Sequence, residues 1–197
     1  MIHIPNTGLY FCIAFAVMLL ATWLMSRQGR HLFTKDPLRR KFTMLEMEFP
    51  AKSYELETLI NGIYLLPDEA PKTIKALKKQ LLLDYLLFIP AVYSCIYILC
   101  MHIAVELKTE VGRYWFMGLG WAQIIPFILD YIENTYFWIM INKRNIPVPK
   151  PDVTKPEPVS RPFKMMQLLQ VFKWGIPLIG AVCSISVVAY FWLSGRY

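Results

Sequence analysis

Four stretches of this chain are too long and too apolar to be satisfied by water. They cover residues 8–25, 81–105, 114–141 and 165–193. At about 1.5 Å of helix rise per residue, each reaches across a hydrocarbon core of ~30 Å. Backbone polar groups have no water to bond with there, so a run of this kind closes its hydrogen bonds internally, as a helix. Composition agrees: 56% of residues are hydrophobic and 18% are charged, against about 25% charged in an ordinary soluble domain. A disordered chain is excluded and a soluble enzyme is disfavoured. The expected fold is all-α, a polytopic membrane protein with four transmembrane helices and one or two amphipathic cytoplasmic helices. Residues 1–197 form a single membrane domain on this reading.

Charge sets the expected orientation. The formal net charge is +7, from 21 Lys+Arg against 14 Asp+Glu. Eleven of the basic residues fall in 26–80, two in 106–113 and six in 142–164. Cytoplasmic loops are enriched in Lys and Arg, so the first and third connections are expected inside and both termini outside. The charge is thus attributed to a membrane surface, and no nucleic-acid partner is expected. The first stretch occupies the place of a signal peptide, but no Lys or Arg precedes it and no clean cleavage site follows, so it is read as a retained helix. Tyr114, Trp115, Tyr136, Trp138, Tyr190 and Trp192 sit near span ends, as interfacial aromatics do.

The segment 50–80 carries its own pattern. Pro50 suits the first turn of a helix over 51–61, Gly62 suits its end, and Leu56, Leu59, Ile60 and Ile63 share one face. Pro71 marks a second start, with Asp68 and Glu69 before it, and Ile74, Leu77 and Leu81 run on into the second span. Lys72, Lys75, Lys78 and Lys79 are expected at headgroup level, in contact with lipid phosphate. The connector 142–164 holds six of the fourteen prolines and reads as an extended, polyproline-like cytoplasmic link. Either a stiff spacer or a ligand for a partner domain fits that composition.

Ionisable residues inside apolar spans are costly, which makes them the most informative positions. Asp84 lies early in span two, Asp130 and Glu133 with Asn134 in span three, and Lys173 in span four. From the cytoplasmic ends of their spans, Asp130 lies ~16 Å deep and Lys173 ~12 Å deep. Gln123, Pro126, Asp130, Glu133, Asn134 and Phe137 recur at steps of three and four, forming one stripe. Gln170, Lys173 and Pro177 form another, and Gln80, Asp84 and Phe88 a third. If these stripes face one another, Asp84, Asp130, Glu133, Asn134 and Lys173 make a buried polar cluster. Two readings are open: a proton, cation or ligand site, or a structural set that fixes helix register.

Signatures of catalysis are missing. There is no Glu-x-x-His pair for a di-iron bundle, no GxSxG, HExxH or Walker loop, and His3, His31 and His102 are scattered. Cys12, Cys95, Cys100 and Cys183 fall in apolar spans and read as small buried hydrophobes, without a zinc or disulfide pattern. No catalytic residue, metal or cofactor is expected.

The segments LLLDYLLFIPAVYS, LDYIENTYF and the Lys173–Trp174 pair, with FTMLEMEFPAKSYELETLI before them, resemble a loosely defined, uncharacterised group of small bacterial four-helix inner-membrane proteins. That group carries LDFLFIPAY-like and LDxxEN-like elements and a lysine in the last span. The resemblance covers nearly everything after residue 40. It implies a bacterial inner-membrane location and groups the five polar residues together, but implies no reaction. The expected function is a non-enzymatic accessory or assembly subunit of an inner-membrane complex, with the bilayer and other membrane subunits as partners. The alternative is a small carrier or ligand-binding protein that uses the acidic site.

Overall fold

The computed structural model describes residues 6–36, 38–50, 54–143, 146 and 161–195, with side chains of the last segment from Gln167 onward. The architecture is all-α apart from one small hairpin. In chain order the elements are α1 (Thr7–Gly29), β1 (Phe33–Lys35), β2 (Arg39–Lys41), α2 (Met44–Glu48), α3 (Glu55–Tyr64) and α4 (Ala70–Leu83). A π-helical turn (Asp84–Phe88) leads into α5 (Ile89–Glu106), followed by α6 (Glu110–Ala122), α7 (Ile124–Asn142) and α8 (Arg161–Leu193). Four helical stretches are long and apolar enough to cross a membrane: Thr7–Gly29, Ala70–Glu106, Glu110–Asn142 and Gln167–Leu193.

The chain divides into two compact units. One comprises Met1–Thr22, Tyr85–Tyr131 and Val171–Tyr197; the other comprises Trp23–Asp84 and Ile132–Gln170. In the first, α5 and α6 pack as an antiparallel pair around Ile96, Cys100, Ile103, Ala104 and Phe116. Gly120 makes the close approach workable, since a Cβ there would already stand 3.4 Å from the Cβ of Cys100. The π-turn runs up against a proline. A π-register pairs residue i with residue i+5, and the fifth residue after Tyr85 is Pro90, which has no N–H. The Tyr131 hydroxyl supplies the missing donor to the Tyr85 carbonyl at 2.9 Å. In return, the Tyr85 hydroxyl donates to the Tyr131 carbonyl at 2.8 Å.

The second unit has a different core. Leu32, Phe42, Met47, Leu59, Ile60, Leu77 and Phe137 are all buried there. The expected apolar face Leu56, Leu59, Ile60 and Ile63 is the buried face of α3. Gly62 does not end that helix, as the sequence suggested. It lies inside α3, where β1 packs so closely that a Cβ would fall 2.8 Å from the Lys35 carbonyl and still nearer the Thr34 hydroxyl. Residues 51–53 of the expected helix, and the proline run of 147–160, lie outside the described residues. Pro71 sits in the first turn of α4, as expected.

The hairpin was not anticipated. Its strands pair antiparallel with Phe33 opposite Lys41, Thr34 opposite Arg40 and Lys35 opposite Arg39. Side-chain bonds hold it down: Thr34 donates to the Leu59 carbonyl at 2.9 Å in a buried bond, and Thr73 of α4 donates to the carbonyl of His31, just before β1, at 2.8 Å. Thr43 and Glu46 form a reciprocal capping box on α2. At the surface Arg39 pairs with Glu69 at 2.7 Å and Arg40 with Glu46 at 2.5 Å. The Arg39 hydrogen bond holds the Glu69 carboxyl below the usual carboxylate range.

Candidate functional site

In the first unit, the site grows from a break between α6 and α7. Pro126 cannot return an N–H to the Ala122 carbonyl, and the helix is interrupted at Gln123. Beyond the break, Pro126 and Asp130 are buried at the spacing the sequence stripe required. Asp130 uses both of its oxygens. Lys173 Nζ lies 2.7 Å from Oδ1, and the Tyr93 hydroxyl donates to Oδ2. The pair is closed to solvent, with side-chain exposures of 8% for Lys173 and 10% for Asp130. An opposite charge and a hydroxyl donor together make a carboxylate tolerable among apolar helices.

Tyr93 also lines an open groove of about 370 Å³ on the surface of this unit, with Pro90, Ser94, Tyr97, Gly120, Gln123, Ile124 and Phe127. Gln123 is 2% exposed. Its Nε2 donates to the Leu119 carbonyl at 3.1 Å and to the Ile176 carbonyl at 3.5 Å, while Oε1 has no partner among the described residues. Gly180 of α8 leaves room for that amide, because a Cβ there would come within 2.8 Å of Nε2. The rings of Tyr93 and Phe127 meet edge to face at 6.0 Å, and those of Tyr97 and Trp121 at 5.6 Å.

The other sequence-selected residues pair within the second unit. Asn134 Nδ2 donates to Asp84 Oδ2 at 2.6 Å, and Gln170 Nε2 donates to Glu133 Oε1. The stripe continues through buried Asn134, Phe137 and Ile141, with Glu133 partly exposed at its edge. Lys72, Lys75 and Lys79 are exposed along α4. Lys78 is committed instead to Asn142 Oδ1 at 2.6 Å and lies over the Trp138 ring at 5.7 Å. Of the cysteines, Cys95 and Cys100 are buried as expected, whereas Cys12 is exposed on α1. Cys100 Sγ lies 3.2 Å from the Ser184 hydroxyl, a buried packing contact.

Sequence reasoning missed Tyr93, Ser94 and Tyr97. Spaced one and three positions apart, they sit in a span rich in aromatics and small residues, where a tyrosine reads as packing. The available signal was that a tyrosine hydroxyl deep in an apolar helix needs a partner. No group of three or more His, Cys, Asp or Glu able to hold a metal ion occurs among the described residues. No known protein family matches the chain, and no curated protein or solved structure matches it at a significant level.

Proposed function

We propose that this chain is a non-enzymatic accessory or assembly subunit of a bacterial inner-membrane complex, with α1 as its main docking element. One observation carries the reading: among its described residues, the 23-residue α1 buries only Ala21. Apolar helices in lipid gain nothing from the hydrophobic effect by associating, so they are held by close packing and polar contacts. With a single buried residue, α1 leaves most of its surface uncovered by the described residues of its own chain. Leu9, Tyr10, Ile13, Leu20 and Trp23 face outward and offer a surface to a neighbouring subunit. The basic connections 26–80 and 142–164 favour a cytoplasmic position for the second unit and an outer position for both termini. Lys72, Lys75 and Lys79 then meet lipid phosphate.

Purification of the tagged full chain in mild detergent tests this. A stoichiometric membrane partner should co-purify. The natural Cys12, carrying a photoreactive maleimide, should cross-link to that partner. Recovery of a lone monomer, with Cys12 cross-linking only to lipid, refutes the subunit role.

A second reading, a ligand-binding membrane protein, is favoured by Tyr93. That side chain faces an open groove and is bonded to the buried Asp130–Lys173 pair.

A further inference from the structure

We infer that the groove of the first unit binds a lipid-soluble quinone, a planar ring bearing carbonyl oxygens on an apolar tail. This rests on the ligand-binding reading and names its ligand.

Depth is the first constraint. Counted from Glu106 at the end of α5, Tyr97 lies ~14 Å and Ser94 ~18 Å along the helix. In a core of ~30 Å those positions straddle the middle. Headgroups and ester carbonyls stay at the edges of that core, and acyl tails carry no hydrogen-bonding atom. An occupant with polar atoms at mid-depth must therefore be a molecule that carries those atoms into hydrocarbon, as a small polar ring on an apolar tail does.

Donor chemistry is the second constraint. Ser94 and Tyr97 are three residues apart on one face of α5, and both line the groove. Neither hydroxyl has a hydrogen-bond partner among the described residues. Two unmet hydroxyls facing hydrocarbon are a standing penalty that an acceptor-bearing ligand removes. A quinone offers two carbonyl acceptors, one for each hydroxyl. Its ring finds aromatic walls in Tyr93, Tyr97 and Phe127. The volume of about 370 Å³ lies within the range of small-molecule sites.

The experiment uses the full chain in lipid nanodiscs, titrated with a decyl-substituted benzoquinone. Tryptophan quenching is read as the difference between the wild type and Trp121→Phe, since Trp121 packs on Tyr97 beside the groove. Saturable quenching is expected, weakened about fivefold by Ser94→Ala and about fivefold by Tyr97→Phe, with helicity by circular dichroism unchanged. Decylbenzene, which has the tail without the carbonyls, should not compete. If it competes equally, the groove holds acyl chains: the quinone is ruled out and the ligand-binding reading survives. Unaltered affinity in both variants also overturns the assignment. Absence of saturable quenching overturns it outright, and a Ser94→Cys chain that then cross-links to a second copy removes the ligand-binding reading as well.

Discussion

Two ion pairs of equal length sit in the two units of this chain. Lys173–Asp130 and Arg39–Glu69 both measure 2.7 Å. The first is closed to solvent between apolar helices; in the second, more than half of the arginine side chain is exposed. Distance therefore says little about what either contributes. A surface pair exchanges water for a partner at almost no net gain, and salt screens it further. A buried pair contributes little beyond an apolar replacement of the same shape, yet removing one member leaves an uncompensated charge with nowhere to go. The buried pair acts as a constraint on which helices meet, and the exposed one as a minor stabiliser of a hairpin.

The largest expected effect comes from splitting the buried pair. Lys173→Met should cost about 3–5 kcal/mol, measured by thermal unfolding in detergent. The double variant Lys173→Met/Asp130→Leu should recover most of that loss. If the double variant is as unstable as the single one, the charge is not what matters and the comparison fails. Next comes Gly62→Ala in the second unit. Its new methyl would press on the Lys35 backbone and the Thr34 hydroxyl, and a strand backbone yields poorly. A loss of about 1–3 kcal/mol is expected in the same unfolding assay. A neutral result would mean that the hairpin is loosely seated on α3.

The smallest effect belongs to Arg39–Glu69. Arg39 lowers the carboxyl's proton affinity in the folded state, so the pair's contribution is present above the ordinary Glu range. It is lost as pH falls through the lowered folded value. Arg39→Ala should therefore narrow the gap to the wild type as the solution is acidified, and concentrated salt should erase it at neutral pH. A gap that persists in acid would assign the effect to Arg39 packing over the Phe33 ring, at 4.6 Å, and not to charge.

Length and apolarity carried the four apolar helices, and the buried stripe of α7 was carried by periodicity, because a helix repeats its faces every three to four residues. A polar side chain on the inner face of an apolar span stands out against that repeat. Asp130 and Lys173 were legible as members of one site for this reason, and they do meet. Tyr93 was hidden because a tyrosine in an apolar helix looks like packing until its hydroxyl is traced. The hairpin was hidden for a different reason. Its strands are three residues each, too short to show alternation, and β2 is Arg39–Arg40–Lys41 with every side chain exposed. Tertiary bonds from Thr34 and Thr73 hold it, and those partners lie 25 and 42 residues away in sequence. Gly62 was misread because a glycine that lets a strand approach has the same local signature as one that ends a helix.

The π-helical turn at Asp84–Phe88 fits one extra residue into the winding of the second apolar stretch. Each residue of an α-helix advances the winding by about 100°. Within the first unit the turn leaves the Tyr85 carbonyl facing Pro90, and the Tyr131 hydroxyl answers it. A Tyr131→Phe exchange, which keeps the ring and removes a single oxygen, would therefore strand a main-chain acceptor two helices away.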